Sequence, residues 1–222
     1  MTQTSDTVTI DELTVADEPE RWAAFGFAVD GETCRLGTVT VRLAGLAAGR
    51  GIVGWSLRGV GRLELDGLPT RASDAPAGEP AGEHPNGITA IDHVVAMTPA
   101  LDRSVEALTR AGLDLRRVRE EPTPAGAPRQ AFFRLGEAIL EVVQEPDEVL
   151  SARPDAARGP ARFWGLALVA DDLDRAAAAF GEHAGEIRPA VQEGRRIVTV
   201  RRSAGLAVPL ALMSARRGKV AL

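Results

Sequence analysis

The chain has 222 residues, enough for one large domain or two small ones with a real core. Hydrophobic residues make up 45% and charged residues 26%, which is ordinary globular composition, and a net charge of −5 argues against a nucleic-acid partner. Cys34 is the only cysteine, which excludes an internal disulfide and a cysteine metal cluster, and the lack of Tyr removes any phenol from acid–base chemistry. No apolar run approaches the ~20 residues of a membrane span. Residues 1–9 lack the basic and apolar regions of a secretory signal. A cytoplasmic protein with no membrane partner is therefore expected.

Residues 7–15 alternate as a half-buried strand does. Residues 18–27 carry a short helical pattern with Trp22 and Phe25 on its apolar side. Strands are expected at 32–36, 38–43 and 51–60, the last containing Trp55. Residues 68–87 are rich in Pro, Gly and Ala, the composition of a loop or linker. His84 falls in this stretch and reads as a loop residue. A strand follows, with Ile91-Asp92-His93-Val94-Val95-Ala96-Met97 at its centre. Thr98 and Pro99 then suit a helix start, Leu101, Val105, Leu108 and Ala111 have helical spacing, and Gly112 suits the helix end. Further strands are expected at 113–119, 129–135 and 138–144, the last two forming a hairpin around Gly136-Glu137. Residues 145–160 read as a second linker. A strand containing Phe163-Trp164-Gly165-Leu166-Ala167-Leu168-Val169 leads into an Ala-rich helix capped by Asp171-Asp172, and strands follow at 186–192, 196–202 and 206–214.

The pattern strand, helix, strand, strand, strand thus occurs twice in clear form. His93 and Gly165 are 72 positions apart, as are Arg103 and Arg175, so the opening strand and helix start of the two copies align without a gap. The N-terminal region spells a degenerate third copy. The expected organisation is an N-terminal βαβββ-like module over 1–67, a linker over 68–87, and a central module over 88–145. A second linker over 146–160, a C-terminal module over 161–215 and a basic tail over 216–222 complete it.

The central copy resembles the vicinal oxygen chelate superfamily, which groups glyoxalase I, extradiol dioxygenases and bleomycin-resistance proteins. The resemblance is carried by Ile91-Asp92-His93-Val94-Val95, Ala111-Gly112-Leu113, Phe132-Phe133-Arg134-Leu135-Gly136 and Ile139-Leu140-Glu141-Val142-Val143. It implies an α+β fold of tandem βαβββ modules, whose paired, curved, mixed sheets form a cleft. It also implies metal ligands on the first and last strand of a module, where His93 and Glu141 fall. An imidazole and a carboxylate suit Zn, Fe, Mn, Ni or Co. The matching positions of the final copy, Gly165 and either Leu210 or Ala211, offer no ligand. Glu12, which aligns with His93 in the N-terminal copy, is the candidate to complete a His-plus-two-carboxylate set.

Each candidate has a plainer alternative. His93 reads equally as a core histidine, Glu141 as the partner of Arg129 or Arg134, and Glu12 as a solvated strand residue. Arg129 and Arg134 could fork onto an anionic or carbonyl-bearing substrate, while Phe133 and Trp164 wall a pocket or simply pack. Two functional readings remain. One is a metal-dependent lyase, isomerase or dioxygenase acting on a small oxygenated molecule. The other is a metal-free protein that binds or sequesters a small molecule without catalysis. An odd number of modules predicts a homodimer.

Overall fold

The computed structural model describes residues 7–80, 82–123, 126–153 and 155–216. The elements run β1 (Thr9–Val15), α1 (Pro19–Ala24), β2 (Val29–Asp30), β3 (Thr33–Leu36), β4 (Val39–Leu43), β5 (Ile52–Arg58), β6 (Thr70–Ala72) and β7 (Ile88–Thr98). They continue with α2 (Leu101–Arg110), β8 (Asp114–Arg119), β9 (Gln130–Leu135), β10 (Ala138–Gln144) and α3 (Asp147–Ser151). The last are β11 (Arg162–Ala170), α4 (Leu173–Phe180), β12 (Arg188–Pro189), β13 (Arg196–Thr199) and β14 (Leu210–Ser214). The architecture is α+β, with two curved mixed sheets and few helices.

Contacts divide the chain into two compact units, each assembled from separate segments: residues through 13, 54–76 and 93–164 in the first, and 14–53, 77–92 and 165 onward in the second.

In the first unit the strands run β7-β10-β9-β8. β10 lies parallel to β7 and antiparallel to β9, and β9 is antiparallel to β8. Side chains alternate across the pleat, so each strand feeds two faces. Val94, Ala96, Ala131, Phe133, Leu140 and Val142 form one face and are fully buried, as are Leu101 and Leu108 on α2. Burial of each large side chain there is worth about 1.5–3 kcal/mol. The other face carries His93, Glu141 and Gln130. At the helix start, Thr98 Oγ1 accepts from Ala100 N (3.1 Å) and Ser104 Oγ (2.7 Å). Thr98 is thus the last strand residue rather than the expected N-cap, which is Ala100. Gly112 ends the helix region with φ 95°, a conformation that only glycine adopts without strain.

The second unit has β12-β13-β14-β11, with β14 parallel to β11, and the antiparallel run β2-β3-β4. Asp172 Oδ1 caps α4 by accepting from Asp174 N and Arg175 N, both at 3.0 Å, as its sequence position predicts. The strand expected over 186–192 shrinks to Arg188–Pro189, because Pro189 has no N–H to continue a ladder.

One backbone bond recurs where a first strand meets the last strand beside it. Glu145 N donates to Thr98 O (2.9 Å), Ala215 N to Ala170 O (3.0 Å) and Ala44 N to Val15 O (2.8 Å). A fourth instance, Ser73 N to Leu57 O (2.8 Å), joins the end of β6 to β5, whose pairing is also parallel.

The Pro/Gly-rich stretch is anchored rather than loose. His84 Nδ1 accepts from Ala28 N (2.9 Å), and its Nε2 donates to Arg35 O (2.7 Å). Asn86 Nδ2 donates to Phe25 O (3.0 Å) while its Oδ1 accepts from Ile88 N (3.0 Å). Both side chains are buried, so two polar residues fix a segment with little apolar content. The second linker likewise contains α3. Of the expected tail, all but Arg216 lies outside the described residues.

Candidate functional site

Strand register places twelve residues of the first unit on one face in three rows. The first is His93, Ile139, Arg134 and Asp114. The second is Val95, Glu141, Phe132 and Arg117. The third is Met97, Val143, Gln130 and Arg119. Val95, Val143 and Ala127 make a small apolar cluster with Met97 at one end of this face.

At its centre, His93 Nε2 sits 3.3 Å from Glu141 Oε2, each side chain 16% exposed. Gln130 Nε2 donates to Glu141 Oε1. The amide nitrogen must face the carboxylate, since the carbonyl would meet like charge. Gln130 Oε1 is then left buried with no hydrogen-bond donor among the described residues.

This donor set fits a divalent cation. Two ligands at 2.0–2.1 Å from a tetrahedral ion lie about 3.3 Å apart, which is the His93–Glu141 separation. Gln130 meanwhile occupies the far oxygen of Glu141 and leaves the near one toward His93. Among the described residues, no group of three or more His, Cys, Asp and Glu side chains gathers at one point. Glu12 lies half-buried on β1 and does not join His93 and Glu141 in such a group.

The other expected contact residues lie elsewhere. Arg129 Nε and Nη2 donate to Glu120 (2.6 and 3.0 Å), and Nη1 and Nη2 to Asp102 (both 3.0 Å). Those bonds hold the Asp102 and Glu120 carboxyls below the usual carboxylate range. The C-terminal copy repeats the tether: Arg196, at the start of β13, binds Asp174 at 2.8 Å. Asp102 and Asp174 are the Asp of the recurring Leu-Asp-Arg, so Arg129 ties a helix to a strand. Phe133 is completely buried on the opposite face, and its neighbour Phe132 lies directly across from Glu141. Trp164, on β11, is half exposed.

In the C-terminal copy the register pairs Ala167 with Ala211, as it pairs Val95 with Glu141, so Ala211 is the counterpart of Glu141. Gly165 leaves no room for a counterpart of His93: a Cβ there would lie 2.7 Å from Pro209 O, which accepts from Leu166 N. Asp92 pairs with Arg195 at 2.6 Å, both buried. The signal for Gln130 was available in the hairpin pairing of 129–135 with 138–144, which sets Gln130 diagonal to Glu141; the signal for Arg117 was hidden by a register shift between Leu115 and Arg117.

Residues 90–196 match the family model of the Glyoxalase/Bleomycin resistance protein/Dioxygenase superfamily. Among solved structures it is similar to methylmalonyl-CoA epimerase from Mycobacterium tuberculosis: 21% identity, TM-score 0.48, covering 62% of this chain and 93% of that one. It is also similar to Streptomyces coelicolor methylmalonyl-CoA epimerase in complex with 2-nitronate-propionyl-CoA, at 20% identity and TM-score 0.47, covering 59% and 99%. A xylose isomerase-like TIM barrel/4-hydroxyphenylpyruvate dioxygenase fusion protein matches at 14% identity and TM-score 0.60 over 96% of this chain. The chain spans half of that fusion, and the likeness shows the fold. No curated protein matches the sequence. No helix among the described residues is long and apolar enough to cross a membrane.

Proposed function

We propose that His93 and Glu141 hold a divalent metal, one of Zn, Fe, Mn, Ni or Co. On this reading the chain is a metal-dependent lyase, isomerase or dioxygenase for a small oxygenated molecule. The observation that carries this is the 3.3 Å approach of His93 Nε2 to Glu141 Oε2, with the other carboxylate oxygen held by Gln130. A metal bound there would supply Lewis acidity toward substrate oxygens. The protein's own contribution is positional. β7 and β10 are adjacent parallel strands and present the two ligands from one face, Gln130 orients the carboxylate, and Phe132 floors the ground beside it. Two protein ligands leave coordination positions for substrate and water.

The metal-free binding reading draws support from the C-terminal copy. The corresponding face there carries Ala167, Ala211, Met213 and Ile197, an apolar wall without ligands. A recess of about 450 Å³ in the second unit is instead lined by Asp17, Glu18, Glu20 and Arg21, which suits a drug-like molecule poorly. Elemental analysis of protein purified without a histidine tag tests the two readings. Stoichiometric metal that is lost in His93→Ala supports the metalloenzyme. No uptake after incubation with Fe, Mn, Ni, Co and Zn refutes it and leaves the binder.

Three further features belong to this proposal. The closures Thr98–Glu145, Ala170–Ala215 and Val15–Ala44 support reading the chain as three βαβββ-like modules, with β5 and β6 joined by the same kind of bond. A homodimer is proposed from the sequence pattern, and a monomer by light scattering would refute this. A cytoplasmic location is proposed from the sequence.

A further inference from the structure

Among the described residues, two arginines beside the candidate site have no partner to explain them. Arg134 and Arg117 are both exposed, and among the described residues neither makes an ion pair or hydrogen bond. Their neighbours are otherwise engaged. Arg116 pairs with Asp114 at 3.2 Å, Arg119 lies 3.8 Å from Glu121, and Arg129 is saturated by Asp102 and Glu120. Asp114, directly across from Arg134, is thus turned to Arg116 rather than to its cross-strand neighbour.

Register fixes where the two guanidinium groups start. Arg117 stands across Phe132 from Glu141, and Arg134 stands across Ile139 from His93. Adjacent strands are about 4.8 Å apart, so each Arg Cα lies roughly two strand spacings, about 10 Å, from the ligand-bearing residue of its own row. An arginine side chain reaches most of that distance. The two therefore frame the open side of the His93–Glu141 pair, with Phe132 and Ile139 as an apolar floor between.

We propose that Arg134 and Arg117 select an anionic ligand. It would carry a carboxylate or phosphate that the two guanidinium groups hold, and an oxygen function a few atoms away at His93 and Glu141. This rests on the metal reading above and specifies the class of molecule that site takes. Planar bidentate donors suit either anion. The arrangement also opposes neutral competitors, because only an anion offsets the mutual repulsion of two cations brought to one ligand.

The test is a titration of Co(II)-loaded protein with succinate, and with succinamide as its neutral counterpart, followed in the visible absorption of the ion. The expected result is saturable spectral change with succinate, weakened at least tenfold in Arg134→Gln and Arg117→Gln, and little response to succinamide. Co(II) affinity stays unchanged in both variants, and Arg110→Gln, whose guanidinium pairs with Glu106 on its own helix, behaves as wild type. Equal binding of succinate and succinamide, or no loss in either variant, overturns the proposal while Co(II) binding itself stands. Failure to load Co(II) at all overturns the metal reading instead. In that case the same variants are compared by thermal shift with succinate alone, and an unchanged shift overturns the anion site as well.

Discussion

Gln130→Leu isolates the least conspicuous part of the proposed site. Leucine keeps the size and removes the N–H that donates to Glu141 Oε1. It also removes the buried carbonyl that has no donor, so the variant loses one favourable contact and one unfavourable one. A hydrogen bond to a charged acceptor is worth about 1.5–3 kcal/mol, and the orphaned carbonyl returns part of that to folding. Global stability is therefore expected to change by less than about 1.5 kcal/mol. Metal affinity responds to the first term alone, because it is the carboxylate's orientation that is lost. At 1.4 kcal/mol per decade, Co(II) affinity falls by about 10- to 100-fold, the range for outer-sphere partners of metal ligands. Isothermal titration of wild type and variant with Co(II), beside urea melts of the apo proteins, measures both. Unaltered affinity with intact folding would refute the argument that Gln130 presents Glu141 to a cation.

Four other outcomes follow from the same geometry. His84 is held below its ordinary value mainly by burial, and its Nδ1 accepts a backbone N–H. The unfolded chain therefore takes up the proton first, so stability is complete above about pH 6.5 and falls as the pH drops below it; urea midpoints across that range should show a slope that His84→Phe flattens. Burial pushes the Cys34 thiol up to about 12, so a thiol reagent at pH 8 should label the native protein far more slowly than the denatured one. Gly165→Ala sets a methyl 2.7 Å from Pro209 O and should cost about 1–3 kcal/mol by forcing strands apart, read as a lowered thermal midpoint. Phe133→Ala should cost about 3–5 kcal/mol as a core cavity, whereas Phe132→Ala should cost clearly less and instead weaken ligand binding.

The repeat was legible because it rests on local pattern. Apolar alternation marked β7, β10 and β11, the cap at Asp172 and the glycine at 112 marked helix ends, and the 72-residue offset tied the two copies together. Period-two alternation grouped His93 with Ile91 and Val95, and Glu141 with Ile139 and Val143; the family resemblance implied that the two strands are neighbours, and the register pairs them. What stayed hidden depended on partners distant in sequence. Phe132 and Phe133 are chemically identical neighbours, and only the pairing of β9 with β10 decides that Phe132 is beside Glu141. Arg129 looked like a substrate anchor because its two carboxylate partners, Asp102 and Glu120, come from a helix and a turn. His84 and Asn86 sat in a stretch whose composition reads as a linker, and their anchoring role appears only through Phe25, Ala28 and Arg35.

The asymmetry between the copies has a backbone cause. In the C-terminal copy Pro209 O comes close to Gly165 and accepts from Leu166 N. The same device occurs at β5, where Trp55 N donates to Pro69 O (3.1 Å) and a Cβ on Gly54 would lie 3.2 Å from that oxygen. In each case a Gly on the first strand faces a Pro just before the last strand, and the Pro carbonyl fills the space a side chain would need. Restoring a ligand by Gly165→His would therefore push against backbone rather than fill a gap, and the C-terminal copy is closed to metal by its chain path as well as by its residues. The candidate ligands of the proposed site accordingly come from one module, whose own strands supply the imidazole, the carboxylate and the amide that contacts it.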